Sequence, residues 1–194
     1  MNADWMTEQM EGKAAPMPLL AVQSFANTID IETDTDWLDS TEETARWLRE
    51  SGLATPKLEV TPELLGAARR LREAVRRLLA ANEQNTVDRQ AAKTLAQLAG
   101  LHQVPLRANP DGELELDLSP ARTPNELISH LLGIIYQAQA IGTWPRLKLC
   151  ENPDCAWAFY DSSRNRSGSW CRMGLCGNRI KNRAYRERQR QRAG

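Results

Sequence analysis

Apolar residues recur at helical spacing in several stretches before residue 143, and each stretch carries its own start or stop signal. Leu19, Leu20, Val22, Phe25 and Ala26 predict a first short helix. The polar stretch from Asn27 to Asp39 reads as a loop. Ser40 and Glu43 have capping-box spacing, in which each side chain bonds the other's backbone N–H, and the helix they open carries Ala45, Trp47 and Leu48. It should stop near Gly52, a residue suited to a left-handed C-terminal turn. Thr61-Pro62 starts a stronger helix whose stripe is Leu64, Leu65, Ala68, Leu71, Val75, Leu78 and Leu79. Arg69, Arg70, Arg72, Arg76 and Arg77 on that helix read as a solvated face with local ion pairs. A third helical stretch is expected from Val87 to Leu101. Period-two alternation at 104–107 and 113–118, around the turn Asn109-Pro110-Asp111-Gly112, predicts a β-hairpin. Thr123 to Glu126 offers another cap, and Leu127, Ile128, Leu131, Leu132, Ile134 and Ile135 follow in the most apolar helix, the expected centre of the core.

Composition adds little until it is divided. The chain has 194 residues, is 41% hydrophobic and 26% charged, and carries no net charge, as an ordinary globular protein does. Up to Thr143, however, 13 Lys and Arg face 21 Asp and Glu, a net of −8, whereas from Trp144 onward 12 face 4, a net of +8. All four cysteines lie in the basic part. The expected organisation is a flexible N-terminus at 1–17, a helical domain at 18–143 and a basic cysteine-rich unit at 144–194. A −8 unit joined to a +8 unit permits docking, within one chain or across a homodimer, and a small-molecule effector in the helical domain would shift that docking. No apolar run reaches the ~18 residues that cross a bilayer, and the first residues lack a basic start followed by an apolar core. A cytoplasmic, nucleoid-associated protein with no membrane partner is expected.

Catalytic signals are absent from the pattern. His102 and His130 are the only histidines, and His130 sits within the apolar helix as a core residue. No nucleophile triad, phosphate loop or paired-carboxylate motif is present, and the acidic run from Asp30 to Asp39 lacks the glycine and ligand spacing of a calcium loop. A non-enzyme is expected, and no residue set in the helical domain designates its ligand.

The chemistry lies in Cys150-x4-Cys155-x15-Cys171-x4-Cys176. Two close pairs across a short loop can set four thiolates at the corners of a tetrahedron, which suits one structural Zn2+ and leaves no open position for substrate. Disulfides and an iron–sulfur cluster are the rival readings. Trp157, Phe159 and Tyr160 alternate as a short strand would, the polar 161–168 stretch reads as a hairpin tip, and Ser169-Trp170 brings the chain back to Cys171. A helix follows from Gly177 to about Arg192. The fold class is therefore mainly α with a small β-hairpin, ending in a treble-clef-like finger of short hairpin and basic helix. Trp157 and Trp170 are expected to pack around the metal.

The stretch from Cys150 to Arg166, followed by Trp170-Cys171-Arg172-Met173-Gly174-Leu175-Cys176-Gly177-Asn178-Arg179, resembles the CGNR zinc finger, whose signature is its last four residues. Phe25-Ala26-Asn27-Thr28 and Trp47-Leu48-x4-Leu53 resemble the opening of the ABATE domain that the family places before the finger. The resemblance implies a bacterial stress-response transcription regulator with Cys150, Cys155, Cys171 and Cys176 on zinc and the finger on DNA. Gly168-Ser169 departs from the pattern, standing where basic residues would be expected. Charge suggests how duplex DNA would be held. Arg179, Arg183, Arg186 and Arg190 form one stripe on a helix about 24 Å long, with Lys181, Arg188 and Arg192 on its far side. The stripe is expected on phosphates, with Asn178 reaching a base or capping the helix, and Arg164, Arg166 and Arg172 adding contacts from the finger. RNA or ribosome binding and a zinc-scaffolded protein-interaction module are the alternatives.

Overall fold

The computed structural model describes residues 1–10 and 13–193, with side chains described except at 184, 187, 188 and 190–193. Among the described residues the chain forms seven helices and three two-stranded antiparallel ribbons. In order these are α1 (Ala3–Gln9), α2 (Leu19–Ala26), β1 (Ile29–Asp30), β2 (Thr35–Asp36), α3 (Thr41–Glu50), α4 (Pro62–Gln84), α5 (Arg89–Leu101), β3 (Leu106–Ala108), β4 (Leu114–Leu116), α6 (Pro124–Ala140), β5 (Leu147–Leu149), β6 (Ala158–Tyr160) and α7 (Asn178–Ala193). The mainly helical class is as the apolar pattern predicts.

Local chemistry sets the boundaries. The side chains of Ser40, Thr61, Asp88 and Thr123 accept the N–H groups of Glu43, Leu64, Ala91 and Glu126, satisfying donors that a helix start leaves unpaired. The Asp88 cap moves the start of α5 to Arg89, two residues later than the pattern predicts. The turn of the β3–β4 hairpin is held by Asn109 Oδ1, which accepts the N–H groups of Asp111 and Glu113. That hairpin lies on α6 at Gly133, where a Cβ would meet Leu116 and Val104 at 3.1 and 3.2 Å. Leu127, Ile128, Leu131, Leu132, Ile134 and Ile135 of α6 are all buried, so the most apolar helix is central.

Three expectations change. Residues 1–10 and 13–17 are not a loose tail. Met6 and Met10 are buried, and Asn2 ties the N-terminus to the end of α3 through Glu50 and Ser51 carbonyls. Apolar side chains at 6 and 10, one turn apart, drive that docking. The acidic run is also more than a solvated loop, because it forms the β1–β2 ribbon, with Ile29 opposite Asp36. Finally, Arg72 and Arg76 are not on a wet face, since both are about 8% exposed. Arg72 forks onto the Asp36 carboxylate and donates to Thr28 Oγ1 at 3.1 Å. Arg76 donates to the carbonyls of Ala26 at 2.8 Å and Ala156 at 3.0 Å.

The last contact crosses the expected boundary at residue 143, as does the hydrophobic core. Trp144, Leu147 and Ala158 are buried in the same cluster as α2, α4 and α6. Strand β6 is completed, on the edge away from its partner β5, by groups of the N-terminal part of the chain. The Asn27 side-chain amide accepts the Ala158 N–H at 2.7 Å and donates to the Ala158 carbonyl at 2.9 Å, imitating a neighbouring strand. Gln23 Nε2 donates to the same carbonyl at 3.1 Å, and the Tyr160 N–H donates to the Lys13 carbonyl at 3.0 Å. The cysteine-rich unit is thus sewn into the helical domain.

Two predictions follow from this packing. Asn27→Ala leaves the buried Ala158 N–H without a partner and its carbonyl with Gln23 alone, and should cost about 1–3 kcal/mol. In urea, tryptophan fluorescence and metal release should move together to lower denaturant; two separated transitions would show that the units unfold independently. The second concerns His130, buried in α6. Burial holds its imidazole below the ordinary 6.5, against the opposing pull of Asp117 and Glu126. A depressed folded value means that full stability is present above the unfolded value and is lost as pH falls through the folded one. The melting temperature should therefore drop from pH 7.5 toward roughly pH 5, and more steeply than in His130→Gln.

Candidate metal centre

The hairpin of the finger is present in a different place from that predicted. Strand β6 pairs with β5, Leu147 opposite Tyr160 and Leu149 opposite Ala158, so Cys150 and Cys155 lie in the connection between the strands. That connection turns on Asn152, whose carbonyl accepts the N–H groups of Cys155 at 3.0 Å and Ala156 at 2.8 Å. Ala156 takes a positive φ of 46° to close it. The Asn152 amide also donates to Cys176 Sγ at 3.7 Å, joining the two cysteine pairs.

Of the second pair, Cys171 leads into and Cys176 sits on a single wide turn, Met173–Gly177, closed by the Gly177 N–H on the Arg172 carbonyl at 3.2 Å. This five-residue hydrogen bond is a π-type turn, a geometry that recurs at functional sites. It brings Cys171 and Cys176 sulfurs to 3.7 Å. A Cβ at Gly177 would lie 2.6 Å from Met173 Sδ and 3.2 Å from the Trp170 ring, so a larger residue here would have to displace the Met173 side chain. Asn178 donates from Nδ2 to the Gly174 carbonyl at 3.0 Å and locks the turn to the start of α7.

All four cysteines are buried and unlinked, and their sulfurs lie within 4.8 Å of one another. Cys155 and Cys171 are 3.6 Å apart. A tetrahedron with Zn–S bonds of ~2.3 Å has edges of about 3.8 Å. Disulfides would need sulfurs at ~2.05 Å. A multi-iron cluster spreads its thiolates over several metals, whereas these four converge on one point. The donor set therefore fits one structural Zn2+ held by Cys150, Cys155, Cys171 and Cys176. Hydrogen bonding to Cys150 pushes the Cys155 thiol up to about 12, and the same crowding by Cys150 and Cys155 pushes Cys171 up as well. A divalent cation resolves that conflict by taking the protons' place. Phe159 is packed into the sulfur cluster, with Trp157 and Trp170 against it, as expected. Lys13 reaches over from the helical domain, its Nζ 4.5 Å from the Phe159 ring centroid and donating to the Trp170 carbonyl at 2.5 Å.

The expected hairpin tip, 161–168, is instead a loop wrapped over a buried ion pair. Lys148 Nζ donates to Asp161 Oδ2 at 3.1 Å, the Arg166 carbonyl at 2.6 Å and the Gly168 carbonyl at 3.2 Å, using all three of its protons. Burial alone would raise the Asp161 carboxyl, but hydrogen bonds from Ser163, Gly168 and Lys148 hold it down to about 2. A Cβ at Gly168 would stand 2.9 Å from Asp161 Cγ. Gly168, the departure from the family pattern, therefore has a local cause in this loop. Arg164 and Arg166 project from it, both exposed.

The basic helix shows which expected residues share a surface. Arg179, Arg183 and Arg186 line one open groove of about 520 Å³ together with Asn152 and Asp154. Arg179 pairs with Glu32 of the β1–β2 ribbon at 2.8 Å, and Arg183 stands 3.7 Å from Asp154. Both pairs are about half exposed or more. Lys181 faces elsewhere, its Nζ 6.0 Å from the Trp170 ring centroid. Arg172 borders a cleft with Asp30, Glu32 and Trp157. The side chains of Arg188, Arg190 and Arg192 lie outside the described residues. No described helix is long and apolar enough to cross a membrane.

Sequence reasoning missed Lys13, Asn27, Arg76 and Lys148 as supports of the site. One signal was available: Arg72 and Arg76 lie four and eight residues after Ala68, on the buried stripe of α4.

These features define a class: a helical domain fused to a finger built on a closed four-cysteine zinc site. Residues 146–189 match the CGNR zinc finger family, and residues 21–138 match ABATE, described as "Putative stress-induced transcription regulator". The second match spans more than half of the chain, so this protein belongs to the ABATE family and carries a CGNR zinc finger. No curated protein is significantly similar to it in sequence.

Cys176→Ser should abolish stoichiometric zinc and lower the stability of the whole chain by at least about 4 kcal/mol, the scale on which loss of a metal is felt. Metal content with urea denaturation checks this. Full stability without zinc would contradict a structural role.

Proposed function

We propose that this protein is a DNA-binding, non-catalytic transcription regulator whose helical domain senses a ligand. The single observation that carries the reading is the exposed row of Arg179, Arg183 and Arg186 on a helix launched directly from the Cys176 ligand. Zinc fixes where that helix starts and which way it points. Its mean composition is strongly polar, with exposed residues along the described length, so it gains little from burial within this chain. Phosphates would neutralise the row and release counterions. The loop arginines Arg164 and Arg166 supply further backbone contacts, held out by the buried Lys148–Asp161 pair.

Two carboxylates occupy the row in the free chain. Glu32 and Asp154 must give up Arg179 and Arg183 when phosphate binds. Such exposed pairs are screened by solvent and contribute little, so they tune affinity without blocking it. Because Glu32 belongs to the helical domain, it links that domain's state to the DNA surface. Structured RNA remains the rival polymer, and a matched-salt comparison of duplex DNA with RNA separates the two.

About five phosphate contacts, from Arg164, Arg166, Arg179, Arg183 and Arg186, predict that raising salt from 50 to 200 mM weakens duplex binding roughly 500-fold. Arg183→Glu with Arg186→Glu should weaken all sequences alike, and Glu32→Gln should tighten binding a few-fold. Fluorescence anisotropy at each salt concentration reads all three. A flat salt response overturns the reading.

A further inference from the structure

A small, partly open recess lies at the seam between the helical domain and the finger. Four of the six tryptophans of the chain line it: Trp5 from α1, Trp37 beside β2, Trp47 from α3 and Trp157 from the finger. Trp5 and Trp37 meet edge to face, with centroids 6.4 Å apart and planes at 79°. Trp47 is only 2% exposed and is braced by Phe25 at 6.0 Å. Among the described residues, Asp30 is the only ionisable side chain in the lining. Its Oδ1 is held by the N–H groups of Glu32 at 2.9 Å and Thr33 at 3.4 Å. The recess has a volume of about 120 Å³, room for about four water-sized groups at ~30 Å³ each.

We propose that this recess binds a small organic cation of the methylated or quaternary ammonium class. Indole faces attract cations through their quadrupole, and tryptophan is the strongest of the aromatic partners. Four indoles share the lining with the polar side chains of Gln9, Ser24, Asn27 and Thr35, and among the described residues one carboxylate and no basic group stand there, which disfavours anions. The lining also gives a neutral apolar guest nothing to set against the Asp30 charge. A methylated ammonium matches both features, since its methyl groups pack on the rings and its charge faces Asp30. The Trp37 ring already takes one cation in the free chain, the Arg46 guanidinium 4.8 Å from its centroid, itself balanced by Glu43 and Glu50 at 3.5 Å each.

The position of the recess gives the ligand a route to the finger. Trp157 lies two residues after Cys155, and its carbonyl accepts the Cys150 N–H at 2.9 Å. Asp30 opens the turn that carries Glu32, the partner of Arg179. A guest bound between them fixes the zinc connection and the acidic turn together. This identifies the ligand class for the sensing role proposed above and rests on that role for its consequence, although binding itself does not.

The test uses the zinc-loaded full chain without DNA. Tetramethylammonium and choline are titrated by calorimetry and tryptophan fluorescence at ionic strength matched with sodium chloride. Saturable binding is expected, with choline's neutral analogue, in which carbon replaces the nitrogen, about tenfold weaker or worse. Asp30→Asn keeps the Oδ1 acceptor for the turn and should weaken the cations about tenfold while leaving zinc content unchanged. Absence of saturable binding at millimolar cation, or equal binding of the neutral analogue, overturns the proposal. The analogue comparison needs only the natural protein, so it decides the matter even if Asp30→Asn fails to fold. A chain that binds the cations but not duplex DNA overturns the regulator reading alone, and one that binds duplex but not the cations overturns this site alone.

Discussion

Four buried thiols cannot be brought within 4.8 Å of one another and ionised together unless a cation sits among them. The chain from Cys171 onward depends on that constraint. The chain there offers little other apolar material to fold around, since Met173, Leu175 and Tyr185 are all exposed. One divalent ion replaces the missing core. It fixes the wide turn that runs from Cys171 to Cys176, and with that turn the origin of α7. Small units lacking a sufficient core commonly depend on a metal in this way.

The helical domain supplies the other half of the support. Strand β6 would be a bare edge on the side where the Asn27 amide now serves as its neighbour. Arg76 reaches from α4 to the carbonyl of Ala156 inside the metal connection. These are buried polar contacts satisfied across the seam, so neither side can be removed without stranding the other. The opposite net charges of the two units meet at Glu32 and Arg179, but amides, backbone groups and one buried guanidinium carry the seam. The result is a regulator-family protein in which the metal centre and the helical domain share one core, and in which a tryptophan-lined recess lies where they join.

Much of this was legible in the sequence. The capping residues Ser40, Thr61 and Thr123 announced three helices because their chemistry is local. Gly112 and Asn109 announced a hairpin for the same reason. Cysteine spacing announced the metal, since four thiols in two close pairs have few other uses. What stayed hidden was long-range. Nothing near Met6 shows that a helix of seven residues will dock, because its partners lie in α2. Nothing adjacent to Lys148 reveals that its charge will be buried, because Asp161 and the carbonyls of Arg166 and Gly168 arrive from a later loop. The partner of β6 was misplaced because Leu147–Leu149 precedes the cysteines, and three residues are too few to display an alternating pattern. The arginines of α4 were mistaken for a wet face by residue type, although their spacing placed Arg72 and Arg76 on the buried side.

X-ray absorption at the zinc edge of the purified chain tests the central claim most directly. Four sulfur scatterers at about 2.3 Å around one zinc per chain is the predicted result. A first shell containing nitrogen or oxygen, or a chain that folds with its cysteines free of metal, would contradict it.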